Sequence, residues 1–282
     1  MKKHIEIEGK YFLKNGKALE VSQLQLEELY VQPSVYEVIR VSSGVPLFLE
    51  EHLNRLRKSI ELLGFKYSFS FEDLRNKIHD IIKINDNPQL NIKLIVNHLE
   101  AIAPMLFMFF IPSQYPSAEA YRDGVTACTY RAERHNPNAK VVANKLREEI
   151  NRAIELKNTY EAILINSNNE ITEGSRSNVF LVKDNAVYTA PAKDVLVGIT
   201  RSRIIDICNS LGIKVIEATI PFEFLKGADG LFITGTSPKV LPVSSVDSIS
   251  FASADSVIIK RISVAYNDMI DRYISSYNIE GK

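Results

Sequence analysis

Two short turns in this 282-residue chain combine glycine and threonine where a phosphate group could bind. Gly198-Ile199-Thr200-Arg201 stands just before an apolar-periodic helix, and Thr234-Gly235-Thr236-Ser237-Pro238 follows a strand pattern. Backbone N–H groups at a helix start bind anions, aided by the helix dipole, and glycine lets a ligand approach the backbone. An ordinary structural role explains the same turns, with Thr200 as an N-cap and Gly235 as a turn residue.

A third phosphate-binding candidate is Arg55, which lies in a predicted amphipathic helix over residues 51–63. At about 100° per residue, His52, Arg55 and Ser59 form a polar strip beside the apolar face of this helix. A guanidinium there could bind a phosphate through two of its nitrogen atoms. A surface arginine whose aliphatic part covers apolar neighbours is the alternative interpretation.

Amine chemistry is indicated by Asn138-Ala139-Lys140 and, about thirty residues later, by Ile171-Thr172-Glu173-Gly174. A lysine amine, with an unperturbed pKa of about 10.4, needs desolvation or a cationic neighbour to act as a nucleophile at neutral pH. A carboxylate buried against a heterocyclic nitrogen would keep that ring protonated. Spacing alone does not choose Lys140 over Lys145, or Glu173 over Glu170.

Composition narrows the class of protein. Lysine plus arginine equals aspartate plus glutamate at 34 each, so neither nucleic acid nor a membrane surface is expected as the main partner. Two distant cysteines and five scattered histidines predict neither a disulfide framework nor a metal site. The first six residues do not resemble a secretory signal, and the most apolar run, residues 101–111, is too short to span a bilayer. We therefore expect a cytoplasmic protein.

The elements that must position these residues follow from the hydrophobic patterns. Predicted strands cover residues 37–41, 92–96, 105–111, 125–130, 162–165, 179–182, 186–189, 214–218 and 230–234. Predicted helices cover residues 51–63, 71–84, 143–156, 200–211 and 255–273. Prolines, serines and a glycine collect over residues 112–124, which we interpret as a linker. These patterns predict a mixed α/β or α+β protein with two lobes.

Five segments, taken together, resemble the class IV aminotransferases, pyridoxal-phosphate enzymes of fold type IV. This family includes branched-chain and D-amino-acid aminotransferases and aminodeoxychorismate lyases. The segments are SVYEVIRV, LFLEEHLNRLRKS, YEAILINSNNEITEGSRSNVFLV, VLVGITRSRII and LFITGTSPKVLPV, in the family's order and close to its spacing. The resemblance runs from about residue 36 to residue 243. It implies an α+β fold with a smaller N-terminal α/β domain, residues 1–115, and a larger C-terminal domain with the cofactor lysine, residues 116–282.

The resemblance also assigns roles to residues. The family's Schiff-base lysine lies twenty-one residues before the glutamate of its EAxL strand, and counting back from Glu161 reaches Lys140 rather than Lys145. Its TEGSxSN glutamate, which faces the pyridine nitrogen of pyridoxal phosphate, corresponds to Glu173, and the phosphate-binding arginine of its EHLxRL helix to Arg55. The remaining cofactor-binding positions correspond to Ile199, Thr200, Gly235 and Thr236, and the substrate pocket to Tyr36, Glu37, Arg40, His98, Lys145 and Ser237.

The activity implied is transamination between an amino acid and a 2-oxo acid, carried out by a homodimer. Lys140 would move the proton from the substrate's Cα to C4′ of the cofactor. Aminodeoxychorismate lyase is the alternative, but such lyases have a threonine where this chain has Val38. A family member that has lost catalysis is a third hypothesis.

Three departures from the family leave the substrate open. Val31-Gln32-Pro33-Ser34 stands where many relatives have FGDG, and a proline changes that turn. Asn97-His98 occupies the place near which D-amino-acid aminotransferases have a carboxylate-binding arginine. Lys145 replaces a tyrosine of branched-chain enzymes, either as a second cation near the cofactor lysine or as a solvent-facing helix residue.

Overall fold

The computed structural model describes residues 7–134, 137–141 and 144–280. The predictions made for residues 1–6, for His135 and for a helix start at Ala143 lie outside these ranges. The chain divides into two compact units, the first comprising Met1–Gln114, Ala139–Val142 and Ile270–Lys282, and the second Tyr115–Asn138 and Ala143–Met269. The main division therefore falls within the linker interpreted from residues 112–124. Two later segments, one of which carries Lys140, belong to the first unit rather than to the C-terminal one.

The first unit contains a six-stranded antiparallel sheet in the order β2-β1-β6-β5-β3-β4. Its strands are β1 (Glu8–Lys14), β2 (Lys17–Glu20), β3 (Val35–Ser42), β4 (Val45–Pro46), β5 (Asn91–Asn97) and β6 (Met105–Ile111), and its helices are α1 (Leu49–Leu62) and α2 (Phe71–Ile84). Two short 3₁₀ helices, Val21–Gln23 and Leu26–Tyr30, connect β2 to β3.

Strand β3 shows how the sequence pattern builds this unit. Its residues alternate between buried and half-buried, because successive side chains of a strand point to opposite faces of the sheet. Val35 and Ile39 lie on the buried face and belong to one core cluster with Leu53 and Leu56 of α1. Glu37 shares that buried face. A carboxylate placed there needs a partner inside the protein.

The second unit contains a ten-stranded mixed sheet. Its main path runs β12-β11-β10-β14-β15-β7-β8-β9-β13, with β16 paired to β15. The strands are β7 (Val125–Arg131), β8 (Glu161–Ile165), β9 (Glu170–Gly174), β10 (Asn178–Lys183), β11 (Ala186–Thr189), β12 (Val215–Glu217), β13 (Ile220–Pro221), β14 (Gly230–Gly235), β15 (Lys239–Val246) and β16 (Ile249–Ser250). The helices are α3 (Ala118–Asp123), α4 (Asn144–Lys157), α5 (Ile199–Ser210) and α6 (Val257–Glu280), the last of which continues into the first unit.

Helix α5 packs against β14 at the centre of this sheet. Beside it, Phe180 of β10 and Phe232 of β14 are directly paired across the strands, and their rings stack with centroids 5.0 Å apart. The same register pairs Asn178, the first residue of β10, with Thr234, the second-last residue of β14. This part of the sheet therefore places an asparagine and a threonine near residues of the two glycine- and threonine-rich turns.

Every predicted strand and helix is observed, with ends that differ by at most two residues, except that α6 continues seven residues beyond the predicted end at residue 273. The prediction missed the short helix α3, which forms inside the proposed linker because Ser117 accepts a hydrogen bond from the Ala120 N–H and so caps it. It also missed β1, β2, β4, β9, β13, β15 and β16. Within the ranges described above, no helix is both long and apolar enough to cross a membrane.

Candidate active site

Lys140 is held in the first unit by its own backbone. Its N–H donates to Ser59 Oγ of α1 at 3.1 Å, and its carbonyl accepts from the Tyr36 N–H at 3.0 Å. The next residue, Val141, forms a β-bridge with Val35 of β3. The Lys140 Nζ atom lies 5.2 Å from the centroid of the Tyr36 ring. The lysine is thus fixed between α1 and β3 with its amine over an aromatic face.

Glu37 lies at the centre of a buried cluster of charges. Its Oε1 accepts from Arg55 Nε at 2.8 Å, and its Oε2 accepts from Arg55 Nη2 at 2.6 Å. His52 Nδ1 lies 2.7 Å from the same Oε2. Burial alone would raise the pKa of Glu37, but the positive charges of Arg55 and Lys140, with hydrogen bonds from Arg55 and His52, hold it well below its usual range. The carboxylate is therefore ionised and accepts from every partner.

His52 is neutral in this cluster. Burial lowers its pKa to about 4, even though its hydrogen bond and charge interaction with Glu37 act in the opposite direction. A neutral imidazole has one N–H donor, and the ionised Glu37 can only accept. The proton of His52 therefore lies on Nδ1, directed at the carboxylate.

The polar strip predicted for His52, Arg55 and Ser59 is confirmed. His52 and Arg55 contact Glu37, and Ser59 contacts the Lys140 backbone. The side chain of Arg55 is only 10 % exposed, which rules out the surface-arginine interpretation. The helical periodicity correctly predicted which face of α1 points inward. Arg55 was expected to bind a phosphate, and in this structure it contacts Glu37.

The remaining first-unit pocket candidates, Tyr36, Arg40 and His98, are half-buried. Tyr36 and Arg40 lie on the half-buried face of β3, opposite the face that holds Glu37. Tyr36 and Glu37, both expected in the substrate pocket, therefore do not present their side chains to one face of the sheet. His98 is half-buried in the turn after β5, with a positive φ of 51°.

Glu173, in the second unit, is a buried carboxylate on β9. Its Oε1 accepts from Arg134 Nη1 at 2.8 Å, and its Oε2 accepts from the Leu196 N–H at 3.1 Å. These partners stabilise the charged form of the side chain. Arg134 was not anticipated, because nothing in the sequence pattern brings it to a residue on a distant strand.

Ile199 and Thr200 open helix α5, directly after the N-cap residue Gly198. The first N–H groups of a helix have no intrahelical acceptor and carry the positive end of its dipole. Thr200 is buried, and its Oγ1 lies 3.4 Å from the hydroxyl of Tyr266. The predicted anion-binding turn is therefore the start of a twelve-residue helix.

Gly235 is the last residue of β14, and Thr236 and Ser237 follow it in the turn to β15; all three residues are half-buried. The space beside Gly235 is tight, since a Cβ there would lie 3.3 Å from Pro238 Cγ and 3.5 Å from the Arg176 carbonyl oxygen. The preceding Thr234 hydroxyl is buried and has no hydrogen-bond partner among the described residues. A buried donor of this kind at the end of a strand suits a polar ligand.

Lys145 is exposed on helix α4, which favours the solvent-facing interpretation of this residue. The sequence analysis also assigned no structural role to Glu161 or Asn178, whose side chains form hydrogen bonds within the second unit. Both stand in the motif segments, where Glu161 served only as a landmark for counting. Their partners are set by strand register and turn geometry, which a local pattern does not contain.

Comparisons with known proteins place the chain in a family. The family model described as amino-transferase class IV matches residues 34–246. The D-alanine aminotransferase of Bacillus licheniformis is 30 % identical over 272 residues, covering 91 % of this chain and 95 % of the relative. Among solved structures, the branched-chain amino acid aminotransferase of Escherichia coli has a TM-score of 0.81 at 28 % identity, covering 93 % of this chain and 95 % of that one. A putative 4-amino-4-deoxychorismate lyase of Legionella pneumophila has a TM-score of 0.73 at 26 % identity, covering 83 % and 90 %. The chain belongs to the class IV aminotransferases.

Proposed function

We propose that this class IV aminotransferase, which uses pyridoxal phosphate to move an amino group between an amino acid and a 2-oxo acid, binds its cofactor covalently through Lys140. Glu173 faces the pyridine nitrogen. Ile199, Thr200, Gly235 and Thr236 hold the phosphate, and Arg55 adds positive charge. The observation that carries this proposal is the position of Lys140. Its amine lies over the Tyr36 ring, and its backbone forms hydrogen bonds with residues of α1 and β3.

The side chains present match the chemical needs of the cofactor. The aldehyde needs an amine, which Lys140 provides. The ring nitrogen needs a buried carboxylate, which Glu173 provides together with two hydrogen-bond donors that hold it in place. The phosphate needs N–H and hydroxyl donors, which are present at the start of α5 and in the Thr234 hydroxyl, a group that no described residue hydrogen-bonds. The donor set therefore supports pyridoxal phosphate.

Each residue then has a defined task. When bound, the cofactor supplies an electron-accepting ring for the bond broken at the substrate's Cα. Lys140 would hold the cofactor through its Nζ atom and would serve as the base that moves the proton from the substrate's Cα. Glu173 would hold the pyridine nitrogen and favour its protonated form. Glu37 fixes Arg55 through two hydrogen bonds, so that its charge does not move.

Covalent attachment at Lys140 is tested by adding pyridoxal phosphate to the purified chain and recording the visible absorption band of the lysine–cofactor bond. Borohydride treatment should remove the band, and mass spectrometry should then find the label on Lys140. Lys140→Ala should show neither band nor label. Lys145→Ala is the matched control and should behave as the unmodified chain, since Lys145 is exposed. A chain that stays colourless, or a label on another lysine, would reject the assignment.

The amino donor is tested by mixing the protein with single amino acids, including L- and D-alanine, glutamate and the branched-chain set. Conversion of the cofactor's spectrum to that of the amine form by one donor would identify the substrate class. Aminodeoxychorismate belongs in the same panel, given the likeness to the Legionella protein. We expect no lyase activity, because Val38 offers no hydroxyl on its half-buried face of β3. Pyruvate release from that compound, without conversion by any amino acid, would favour a lyase.

We further propose that the protein is a homodimer and acts in the cytoplasm. The dimer is what the family resemblance implies, and light scattering coupled to gel filtration measures it directly. A monomer at working concentrations would contradict it. The cytoplasmic location is supported by Cys128 and Cys208, both free and buried, since unpaired thiols persist in reducing compartments. Cell fractionation tests the location.

A further inference from the structure

The main-chain groups of Leu196 connect Glu173 to a second side chain, that of Asn178. The Leu196 N–H donates to Glu173 Oε2 at 3.1 Å, and the Leu196 carbonyl accepts from Asn178 Nδ2 at 2.9 Å. Glu173 stands on β9, and Asn178 is the first residue of β10. Two side chains from successive strands therefore hold both polar groups of one residue in an irregular segment.

The same asparagine also lies against the start of helix α5. A Cβ built at Gly198 would collide with Asn178 Oδ1, so only glycine lets the chain pass this close. Gly198 is the N-cap of α5, two residues after Leu196. Asn178 thus contacts the connecting segment at its beginning, by a hydrogen bond, and at its end, by close packing.

Asn178 is itself rigidly placed. It is buried and pairs with Thr234 in the β10–β14 register. The turn before it is fixed by the buried carboxylate of Glu161, which accepts from Ser175 Oγ at 2.5 Å and from Ser177 Oγ at 2.8 Å. Backbone N–H groups of the same turn also donate to this carboxylate. The contacts of Asn178 therefore fix the position of the connecting segment relative to the sheet.

We infer that Asn178 is a positioning residue that sets the distance between the Glu173 carboxylate and the N-terminus of α5. This inference rests on the proposed function, in which these two groups bind the pyridine nitrogen and the phosphate of one cofactor molecule. A ligand that needs both groups at once depends on their spacing. A ligand that lacks the phosphate does not, because it can adjust to Glu173 alone.

The test compares the affinities of the apoenzyme for pyridoxal phosphate and for pyridoxal, which has no phosphate, by absorbance titration. Asn178→Asp keeps the size of the side chain but replaces the Nδ2 donor with an oxygen that repels the Leu196 carbonyl. We expect the dissociation constant for pyridoxal phosphate to rise about tenfold or more, about 1.4 kcal/mol, while that for pyridoxal changes about twofold or less. Asn166→Asp, in the turn between β8 and β9, is the matched control and should leave the ratio of the two constants unchanged.

A second variant approaches the same contact from the helix side. Gly198→Ala pushes a methyl group against Asn178 Oδ1 and should produce the same selective loss for the phosphorylated ligand. Gly198→Ala also provides the test if Asn178→Asp does not fold. Thermal unfolding of the apoenzyme shows whether each variant folds. Equal losses for both ligands, or no loss in either variant, would overturn the inference. If the unmodified chain binds neither ligand, the proposed function itself fails.

Discussion

At Glu37, a carboxylate that is completely buried is held by a guanidinium and a neutral imidazole. Alignment with family motifs identified Glu37 and Arg55 from the sequence, and helical periodicity placed His52 beside Arg55. The pairing itself was not predictable, because it depends on α1 packing across the buried face of β3. The same limit explains why Arg134 and Asn178 were missed, since their partners lie on other strands or loops.

Glu37→Gln removes the negative charge opposite the buried Arg55. Breaking a buried ion pair leaves an uncompensated charge, so we expect the free energy of unfolding to fall by about 3–5 kcal/mol. Urea denaturation followed by circular dichroism measures this. Glu50→Gln is the control, because Glu50 pairs with Arg75 where both side chains are about half exposed, and less than about 1 kcal/mol is expected there. Similar losses in the two variants would show that the Glu37 pair is not effectively buried.

His52 predicts a pH dependence of stability. Its pKa in the folded protein is about 4, below its ordinary value of 6.5, so between these values the unfolded chain binds a proton that the folded chain does not. Stability should therefore fall as the pH drops through this window, by about 2 kcal/mol between pH 7 and pH 5. His52→Gln should lack this part of the loss. The comparison is made by urea denaturation of both proteins at pH 7, 6 and 5, and parallel curves would contradict the assignment.

At the scale of elements, apolar periodicity predicted the long helices and the central strands well. Residues 105–111 and 71–84, for example, were predicted with the ends that the structure shows. Short or polar strands were missed, such as β9 with the sequence EITEG, because their pattern resembles a turn. Helix α3 was missed because prolines and serines around it are typical of a linker. Tertiary pairing, rather than local pattern, decides the strands that were missed.

The stacked rings of Phe180 and Phe232 should stabilise the part of the sheet next to α5. Both side chains are fully buried. Phe232→Ala removes most of one ring and leaves a cavity, so the free energy of unfolding should fall by about 3–5 kcal/mol. Leu156→Ala, at an exposed position, should change it by less than about 0.5 kcal/mol. Chemical denaturation measures both, and a small effect at Phe232 would mean that the neighbouring side chains refill the space.

For the whole molecule, binding of pyridoxal phosphate should raise stability, because the folded chain binds the ligand and the unfolded chain does not. At a free concentration one hundred times the dissociation constant, the free energy of unfolding should rise by about 2.7 kcal/mol. Lys140→Ala should show a smaller rise, since the covalent bond is lost while the phosphate-binding residues remain. Thermal unfolding with increasing cofactor measures both. An unchanged melting temperature in the unmodified chain would contradict cofactor binding.

The last helix has a consequence for how the chain is made. Residues Ile270–Lys282 belong to the first unit, where the Tyr273 ring packs 5.0 Å from that of Phe48 and the Tyr277 hydroxyl lies 2.7 Å from His79 Nε2. Domains near the N-terminus commonly fold first during synthesis. Here the sheet that holds Glu37 can form early, but the contacts of Tyr273 with Phe48 and of Tyr277 with His79 can form only after the residues of the second unit have been synthesised. Until then, the aromatic surface around Phe48 stays without its cover on the nascent protein.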